Sequence, residues 1–185
     1  LLVNGGAMLG GTASYSTMTA HALALQTGLV TSCPKWLRMP EIEPIQIYRK
    51  FSQHATTFEN IETEHGRQQV VHHCAAIIGA DDVPEDYLRS AIIHLGPVAN
   101  EVNPNIIKAL PESAFVGLTP QGWMRIWGND GHVHYRRWQT PDALLSRADA
   151  VVISVEDVQG DEQTITDYAE KTRVLVVTEG FNGAR

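Results

Sequence analysis

Acidic and hydroxyl side chains follow one of the most apolar segments of this sequence. "AVVISV" (150–155) contains Ser154, and Glu156 and Asp157 come directly after it. Carboxylates at the end of a buried strand can hold Mg²⁺, usually through water, because this ion keeps several water molecules and takes few protein ligands. The same side chains can instead cap the helix that follows, since acidic residues favour the first helical turn. The residues alone favour capping.

Two glycine-containing segments could bring backbone N–H groups to a ligand. In "VVTEGFNGA", Thr178 is followed by Gly180 and Gly183, and in "GGTASYS" the pair Gly10 and Gly11 precedes a helical stretch. Free amides at such turns suit a phosphate or another polar small molecule. The alternatives are a hairpin or tight strand-to-helix turn for the first segment and close helix-to-strand packing for the second. The first segment lacks the full G-x-G-x-x-G spacing, and no P-loop lysine follows it.

Histidines and tryptophans offer further candidates. A metal site could use His132 and His134, which would share one face of a strand, but no third ligand is nearby in the sequence. The neighbours His72 and His73 would point to opposite faces, so exposed sheet histidines are the favoured interpretation. Three tryptophans are expected to cover the edge of the core rather than to form a sugar-stacking platform: Trp123, Trp127 and Trp138. No nucleophile elbow or Cys/His arrangement indicates acyl transfer.

Short apolar runs that alternate with helix-compatible stretches would position these residues. Each run is apolar enough to be a strand buried on both faces, which predicts a parallel sheet with its ligands at the carboxyl ends of the strands. The runs are 91–96, 114–119, 150–155 and 174–180, and the connecting stretches are 103–110, 141–148 and 161–172. The loops to search are "HLGPVANEV", "LTPQGWMR", "SVEDVQGDE" and "TEGFNGA".

The first third of the chain has a different texture. Small and apolar residues from Gly11 to Leu25 predict a helix buried on more than one side, and 29–31 predicts a short strand. The β-prone segments 45–51, 56–61 and 67–76 predict a small antiparallel or mixed sheet. Further on, Asn129-Asp130-Gly131 predicts a hairpin turn.

Composition excludes several classes of protein. With 185 residues, 43% hydrophobic and 19% charged, the chain fits one soluble α/β-sized domain. A formal charge of -7 with scattered Lys and Arg gives no footprint for nucleic acid. No apolar run is long enough to cross a bilayer, so no membrane partner is expected. Cys33 and Cys74 are expected to be reduced thiols of a cytoplasmic protein.

The order of six motifs along the chain resembles that of the ribokinase-like carbohydrate kinases, the phosphofructokinase-B family. The motifs are "GGTASYSTMTAHALALQTGLVTS", "TTFENIETEHGRQQ", "IIHLGPVANEV", "LTPQGWMR", "AVVISVEDV" and "VLVVTEGFNGA", and they span nearly the whole chain. The resemblance implies a ribokinase-like α/β fold, a mostly parallel sheet flanked by helices, with a small β lid to which 45–73 contributes. It also implies ATP-dependent, Mg²⁺-assisted phosphorylation of a hydroxyl on a sugar, nucleoside or related polyol, and it allows a homodimer through the lid.

The resemblance assigns the acceptor side of the site to the first third of the chain. Gly10 and Gly11 match the glycine pair that approaches the substrate hydroxyls, and Tyr15 stands where many members carry Asn. Thr57 and Arg67 match positions next to the substrate.

The donor side is assigned to the last third. Ser154 and Asp157 match the family's Asn-x-x-Glu, which helps to organise Mg²⁺ and phosphate. Ser in place of Asn and Asp in place of Glu both shorten or weaken this motif, so a water-mediated metal contact is expected. Thr178, Gly180 and Gly183 match the loop that lines the nucleotide.

Three family features do not appear in the 185 residues. The catalytic Gly-Ala-Gly-Asp segment, whose Asp is the base, is expected beyond Arg185, and the substrate-binding acid of the first strand is expected before Leu1. "TSCPKW" lacks the expected Gly-x-Asp, which indicates a family variation or residues missing near Cys33. We therefore expect the chain to be partial at both ends and these residues alone to have no kinase activity.

Two other functions compete with the kinase. A ribokinase-like domain that binds a small ligand or a regulatory partner without catalysis would account for the weakened Ser154 and Asp157 pair. A nicotinamide-dependent Rossmann enzyme would need a glycine fingerprint after one strand and an acid at the end of the next, and the sequence contains no such combination.

Overall fold

A computed structural model describes residues 2–3, 6–64, 66–139 and 141–185. They form two compact units. The first unit comprises Leu1–Pro84 and Ile126–His134, and the second comprises Glu85–Arg125 and Tyr135–Arg185. In the part of the chain that is described, no helix has both the length and the apolar character needed to span a membrane.

Short strands and helices alternate along the chain. The strands are β1 (Leu2–Val3), β2 (Gly6–Ala7), β3 (Gly28–Cys33), β4 (Gln46–Phe51), β5 (Thr57–Thr63), β6 (Gly66–His73), β7 (Ile92–Leu95), β8 (Phe115–Leu118), β9 (Arg125–Trp127), β10 (Val133–Tyr135), β11 (Ala150–Ser154) and β12 (Leu175–Thr178). The α-helices are α1 (Gly11–Ala22), α2 (Glu85–Leu88), α3 (Asp142–Arg147) and α4 (Glu162–Lys171). Single 3₁₀ turns or short 3₁₀ helices lie at Pro40–Ile42, Ala80–Asp82, Pro104–Ala109, Pro120–Met124, Val155–Val158 and Gly180–Asn182.

The β-prone segments of the first unit divide between two sheets. Strands β5 and β6 form an antiparallel hairpin in a sheet of order β2-β1-β5-β6. Strand β4 instead pairs in parallel with β3, from Gly28 opposite Gln46 to Cys33 opposite Phe51. The connection between β3 and β4, residues 34–45, has about the dozen residues that a parallel crossover needs. It supplies Met39, Ile42 and Ile45 to a core with Leu29 and Cys33.

Helix α1 begins at the glycine pair. Gly11 has a φ of 73°, a left-handed conformation that favours glycine. The expected burial on more than one side is wrong, because Ser14 and Thr17 are the buried residues of the helix while Tyr15 is 66% exposed. The Ser14 hydroxyl donates to the Gly10 carbonyl at 3.0 Å and the Thr17 hydroxyl to the Ala13 carbonyl at 2.5 Å. The helix can therefore bury a narrow face of small polar residues without leaving hydroxyls unpaired.

The predicted hairpin around Gly131 is confirmed by the pairing of β9 with β10. Its turn lies against β6, where the Val71 amide donates to the Gly131 carbonyl at 2.8 Å. Gly131 has a φ of 73°, and a Cβ at this position would lie 2.6 Å from the Val71 carbonyl oxygen. Both the backbone conformation and the close approach therefore require glycine here.

The second unit contains the predicted parallel sheet. All four predicted runs form strands, in the order β12-β11-β8-β7, and every neighbouring pair is parallel. The connecting stretches form the 3₁₀ helix at Pro104–Ala109 and helices α3 and α4.

Burial of this sheet on both faces, as the sequence predicted, is wrong. One face is buried and includes Val116, Leu118, Val151 and Ile153. On the other face Ile92 is 60% exposed, Phe115 46% and Val152 37%. The strand order explains the difference: each strand is added on the same side of the previous one, so right-handed crossovers all lie over one face.

Three aromatic side chains pack against one another in the core of the second unit. Trp123 and Trp138 are buried and stacked with ring centroids 5.6 Å apart, and Tyr168 meets Trp138 edge to face at 5.8 Å. Burial raises the pKa of Tyr168 to about 12. The expected role of Trp123 and Trp138 in covering the core is confirmed.

Candidate functional site

The polar residues that the resemblance assigns to the donor side lie at the carboxyl edge of the parallel sheet. Ser154 ends β11 and Thr178 ends β12, and the two residues lie opposite each other in register. The Thr178 hydroxyl donates to the Ile153 carbonyl at 3.3 Å. Because parallel strands all end at one edge, the loops that follow β8, β11 and β12 emerge side by side there.

Ser154 and Asp157 form a capping box around the 3₁₀ turn Val155–Val158. The Asp157 Oδ2 atom accepts a hydrogen bond from the Ser154 amide at 2.8 Å, and the Ser154 hydroxyl accepts one from the Glu156 amide at 3.2 Å. The capping interpretation of these residues is therefore confirmed. Capping also fixes the direction of the Asp157 carboxylate at the edge of the sheet.

Gln121 holds the other oxygen of the same carboxylate. Its Nε2 atom donates to Asp157 Oδ1 at 2.8 Å, although the two residues are 36 positions apart in the chain. Gln121 belongs to the Pro120–Met124 turn that follows β8. The sequence identified the "LTPQGWMR" loop as one to search, but nothing in it singled out this glutamine.

The turn that carries Gln121 is fixed to the loop that follows β7. A Cβ at Gly122 would lie 2.6 Å from the backbone of Pro97 and Val98, so only glycine allows this approach. The Gly122 amide donates to the Pro97 carbonyl at 2.9 Å, and the Arg125 guanidinium donates to the Val98 carbonyl at 2.9 Å. The turn therefore has little freedom to move Gln121.

The glycine segment after β12 folds back as a hairpin, which confirms one of the two turn alternatives. Thr178 is bridged to Ala184, and Val177 exchanges backbone hydrogen bonds with Arg185 at 2.8 and 3.0 Å. Gly180 and Gly183 have φ values of 60° and 92°, and a Cβ at either would meet nothing within 4 Å. Their backbone conformation, not close packing, favours glycine, and the space beside them is open.

The side chains at this edge offer few ligands for Mg²⁺, the ion that the family resemblance implies. Among the described residues, no group of three or more His, Cys, Asp and Glu side chains could hold a metal ion. Both Asp157 oxygens already accept one hydrogen bond each. A carboxylate has about four lone-pair sites, so Asp157 can still accept from metal-bound water. The residues fit a water-mediated site and do not fit a cage of direct protein ligands.

His94 and Thr119 are two further polar residues at this edge that the sequence did not single out. The His94 Nε2 atom lies 3.1 Å from the Thr119 hydroxyl. The His94 side chain lies on the exposed face of the parallel sheet, where neighbouring protein atoms still remove part of its water. This desolvation lowers the pKa of His94. Their signal in the sequence is only their position within the last residues of two apolar runs, 91–96 and 114–119.

The acceptor-side candidates stand on separate elements of the first unit. Gly10 precedes α1, Gly11 begins it and Tyr15 is exposed on it. Thr57 begins β5, and its hydroxyl donates to the Ala55 carbonyl at 3.0 Å.

Arg67 lies at the other end of the same hairpin. Thr57 pairs with His73 and Arg67 pairs with Glu62, which separates the two positions by about 17 Å along the strands. The hairpin does not bring these two candidates together.

Comparison with known proteins shows the fold. No family model matches the sequence, and no curated protein matches it. A pyrophosphate-dependent kinase of the ribokinase family, solved with a pyrophosphate analogue and myo-inositol, superposes with a TM-score of 0.79 at 16% identity, over 95% of this chain and 67% of that one. A sulfate complex of a pyrophosphate-dependent kinase in the ribokinase family has a TM-score of 0.74 at 17% identity, over 91% and 64%. Fructokinase from Xylella fastidiosa with bound ATP gives 0.61 at 14% identity, over 95% and 64%.

These likenesses establish a ribokinase-like α/β fold. The chain spans about two thirds of the length of these kinases, between 64% and 67%.

Proposed function

We propose that the protein is a carbohydrate kinase that transfers a phosphoryl group from ATP to a hydroxyl of a sugar, nucleoside or related polyol. The observation that carries this proposal is the Asp157 carboxylate, held at the carboxyl edge of a parallel sheet by Ser154 and Gln121. Ligands of open α/β sheets bind at this edge. Solved kinases that share the fold include one with bound ATP and one with bound myo-inositol.

Each candidate residue has a proposed role in this reaction. Asp157, with Ser154, would bind Mg²⁺ through water, and Mg²⁺ when bound would neutralise charge on the transferring phosphate. On the donor side, Thr178, Gly180 and Gly183 would line the nucleotide. The proposed acceptor contacts are Gly10, Gly11, Tyr15, Thr57 and Arg67.

Pyrophosphate is a second candidate for the donor. The two solved structures of a pyrophosphate-dependent kinase superpose with TM-scores of 0.74 and 0.79, whereas the ATP-bound fructokinase gives 0.61. The segment Thr178–Gly183 offers open space beside its glycines but can serve a phosphate of either donor. Donor identity is therefore treated as a variable of the experiment.

The rival function is a non-catalytic ligand-binding or regulatory domain. One observation favours it: the two residues that match the family's metal motif use their polar atoms to cap a turn. A regulatory domain would keep acceptor binding and lose the metal-dependent effect of the donor.

A thermal-shift screen tests the proposal. The protein is heated with each of a panel of sugars, nucleosides and inositols, with and without Mg²⁺, and with a non-hydrolysable ATP analogue or a pyrophosphate analogue. A ligand that binds the folded state raises the unfolding temperature. We expect one acceptor class and one donor to raise it, the donor by a larger amount when Mg²⁺ is present. No shift with any member would contradict the kinase, and an acceptor shift without any donor shift would favour the rival function.

A further inference from the structure

We propose that Gln121 is a positioning residue for Asp157 and that its side-chain carbonyl supplies a second acceptor for the water molecules of a bound divalent cation. The inference rests on the proposed function, because it concerns the same donor side of the site. It assigns a role to a residue of the "LTPQGWMR" loop that neither the motif order nor the fold comparison identifies.

The orientation of the Gln121 amide follows from its partner. A carboxylate oxygen only accepts hydrogen bonds, so the group that faces Asp157 Oδ1 at 2.8 Å must be the NH₂ of Gln121. The carbonyl oxygen Oε1 then lies on the other side of the amide carbon. Among the residues that the structure describes, no donor is paired with this oxygen, so it remains available as an acceptor.

The two side chains are held from three directions. Asp157 is fixed at Oδ1 by Gln121 and at Oδ2 by the Ser154 amide at 2.8 Å. Gln121 is fixed through its neighbour Gly122, which has no room for a side chain against Pro97 and Val98. The distance and orientation between the Asp157 carboxylate and the Gln121 amide oxygen are therefore fixed. Two mobile surface side chains would not keep them.

The chemistry of the pair suits a hydrated cation. Mg²⁺ dehydrates reluctantly and keeps several waters, which need hydrogen-bond acceptors in the protein. A carboxylate supplies negative charge, and an amide carbonyl supplies a neutral acceptor of the same hard oxygen type. Loss of groups that orient metal ligands usually weakens metal binding by about 10-fold to 100-fold.

A hydrogen bond of the same kind elsewhere in the second unit provides a matched control. On helix α4 the Gln163 Nε2 atom donates to Asp167 Oδ1, also at 2.8 Å, and this pair is exposed. Gln→Met at either position removes the amide and keeps a side chain of similar length. The control variant Q163M reports the general effect of losing such a bond.

The experiment titrates the protein with Mn²⁺, used as a paramagnetic substitute for Mg²⁺, and measures free Mn²⁺ by electron paramagnetic resonance. Each titration is done with ATP or pyrophosphate and repeated without a donor and without the protein, because both donors bind Mn²⁺ in solution and only the difference reports Mn²⁺ on the protein. Metal-free pyrophosphate binding is measured by calorimetry. We expect Q121M to weaken donor-dependent Mn²⁺ binding about 10-fold or more. Metal-free pyrophosphate binding should stay at the wild-type value in Q121M, and Q163M should match the wild type throughout.

The outcomes separate the inference from the proposed function. Equal Mn²⁺ affinity in the wild type and Q121M overturns the role of Gln121 and leaves the proposed function intact. If Q121M loses metal-free pyrophosphate binding by the same factor as Mn²⁺ binding, Gln121 has only a structural role, and this result also overturns the inference. A wild-type protein that binds no Mn²⁺ with either donor contradicts the proposed function and removes the basis of the inference. If Q121M does not fold, Q121N replaces it with the same expectation, because its amide is too short to reach both positions.

Discussion

The two units hold their candidate residues in different ways. In the second unit, the loops after β8 and β11 meet in a hydrogen bond between Gln121 and Asp157, 36 positions apart in the chain. In the first unit, Gly11 begins a helix while Thr57 and Arg67 stand near opposite ends of a hairpin. Among the described residues, no hydrogen bond joins these three positions.

This difference indicates that the proposed donor residues of the second unit are preorganised and that the proposed acceptor residues of the first unit are not. A preorganised group loses its conformational entropy when the protein folds, so ligand binding does not have to order it. We therefore expect substitutions on the donor side to affect both stability and binding. Substitutions among the proposed acceptor residues are expected to affect binding with little change in stability.

The largest expected effect is on the turn that carries Gln121. Gly122→Val would place side-chain atoms against the backbone of Pro97, Val98 and Ala99, where even a Cβ would lie 2.6 to 2.8 Å away. We expect the free energy of unfolding to fall by about 3 kcal/mol or more, measured by urea denaturation.

A glycine without close neighbours provides the control for this variant. Gly160 has a φ of 72°, and a Cβ there would meet nothing within 4 Å. Gly160→Ala should cost only the strain of a left-handed alanine, about 1 kcal/mol. Gly122 is not among the glycines with a positive φ, so a loss in Gly122→Val no larger than that in Gly160→Ala would contradict the role of close packing at this turn.

Removal of the carboxylate should have the next largest effect. Asp157→Ala loses the hydrogen bonds from the Ser154 amide and from Gln121 Nε2. We expect a loss of about 2 kcal/mol in the free energy of unfolding, together with loss of the Mg²⁺-dependent donor effect.

Thr57→Ala is the matching substitution on the acceptor side. Among the described residues, the nearby Ala55 carbonyl is the one acceptor of the Thr57 hydroxyl, so loss of this hydroxyl should cost about 0.5 kcal/mol. If Thr57→Ala destabilised the protein as much as Asp157→Ala, the contrast between the two units would be wrong.

An effect smaller than that of Asp157→Ala is expected from an ion pair of the first unit. Lys50 Nζ lies 2.6 Å from Asp82 Oδ2, and both side chains are partly buried. Hydrogen bonds from Lys50 and from the Gly79 amide lower the pKa of Asp82. Because the folded-state pKa is below the unfolded one, this stabilisation is present above about pH 4 and is lost as the pH falls through the folded value.

The substitution that tests this pair is Lys50→Met. It should cost about 1 kcal/mol at pH 7, and its difference from the wild type should shrink below pH 4. Urea denaturation at several pH values measures both. A difference that stayed constant down to pH 2 would show that the hydrogen bond from Lys50 Nζ to the Ile77 carbonyl, also 2.6 Å long, stabilises this part of the first unit and that the ion pair with Asp82 does not.

The smallest effect on stability is expected at Tyr15. Its side chain is 66% exposed on α1, so Tyr15→Ala should change the free energy of unfolding by no more than about 0.5 kcal/mol. In the thermal-shift screen the variant should lose part of the acceptor-induced shift and keep the donor-induced shift. An unchanged acceptor shift would remove Tyr15 from the proposed acceptor side.

Patterns within single elements were predictable from the sequence. The apolar runs around Val116, Val151 and Val177, which contain Val, Ile or Phe, form strands of the expected parallel sheet, because β-branched and aromatic residues favour strands whatever they pair with. The hairpin at Gly131 and the cap formed by Ser154 and Asp157 also depend on residues a few positions apart.

Relations between distant elements were not predictable. Strand β4 is equally β-prone beside β3 or β5, and only the fold decides that it pairs with β3. The exposed face with Ile92 and Phe115 depends on strand order, which periodicity does not contain. The Gln121 and Asp157 contact was missed because a lone glutamine in a loop carries no pattern of its own.

Amide hydrogen exchange with and without donor tests the central claim most directly, namely that the carboxyl edge of the second unit binds the phosphoryl donor. The protein is compared by mass spectrometry alone, with Mg²⁺, and with Mg²⁺ plus ATP or pyrophosphate. With donor and Mg²⁺ together, we predict slower exchange in peptides that cover 154–160 and 178–183 than with Mg²⁺ alone, and no change in peptides that cover 57–67. Unchanged exchange at 154–160 and 178–183 with every donor, or protection confined to the first unit, would contradict the claim.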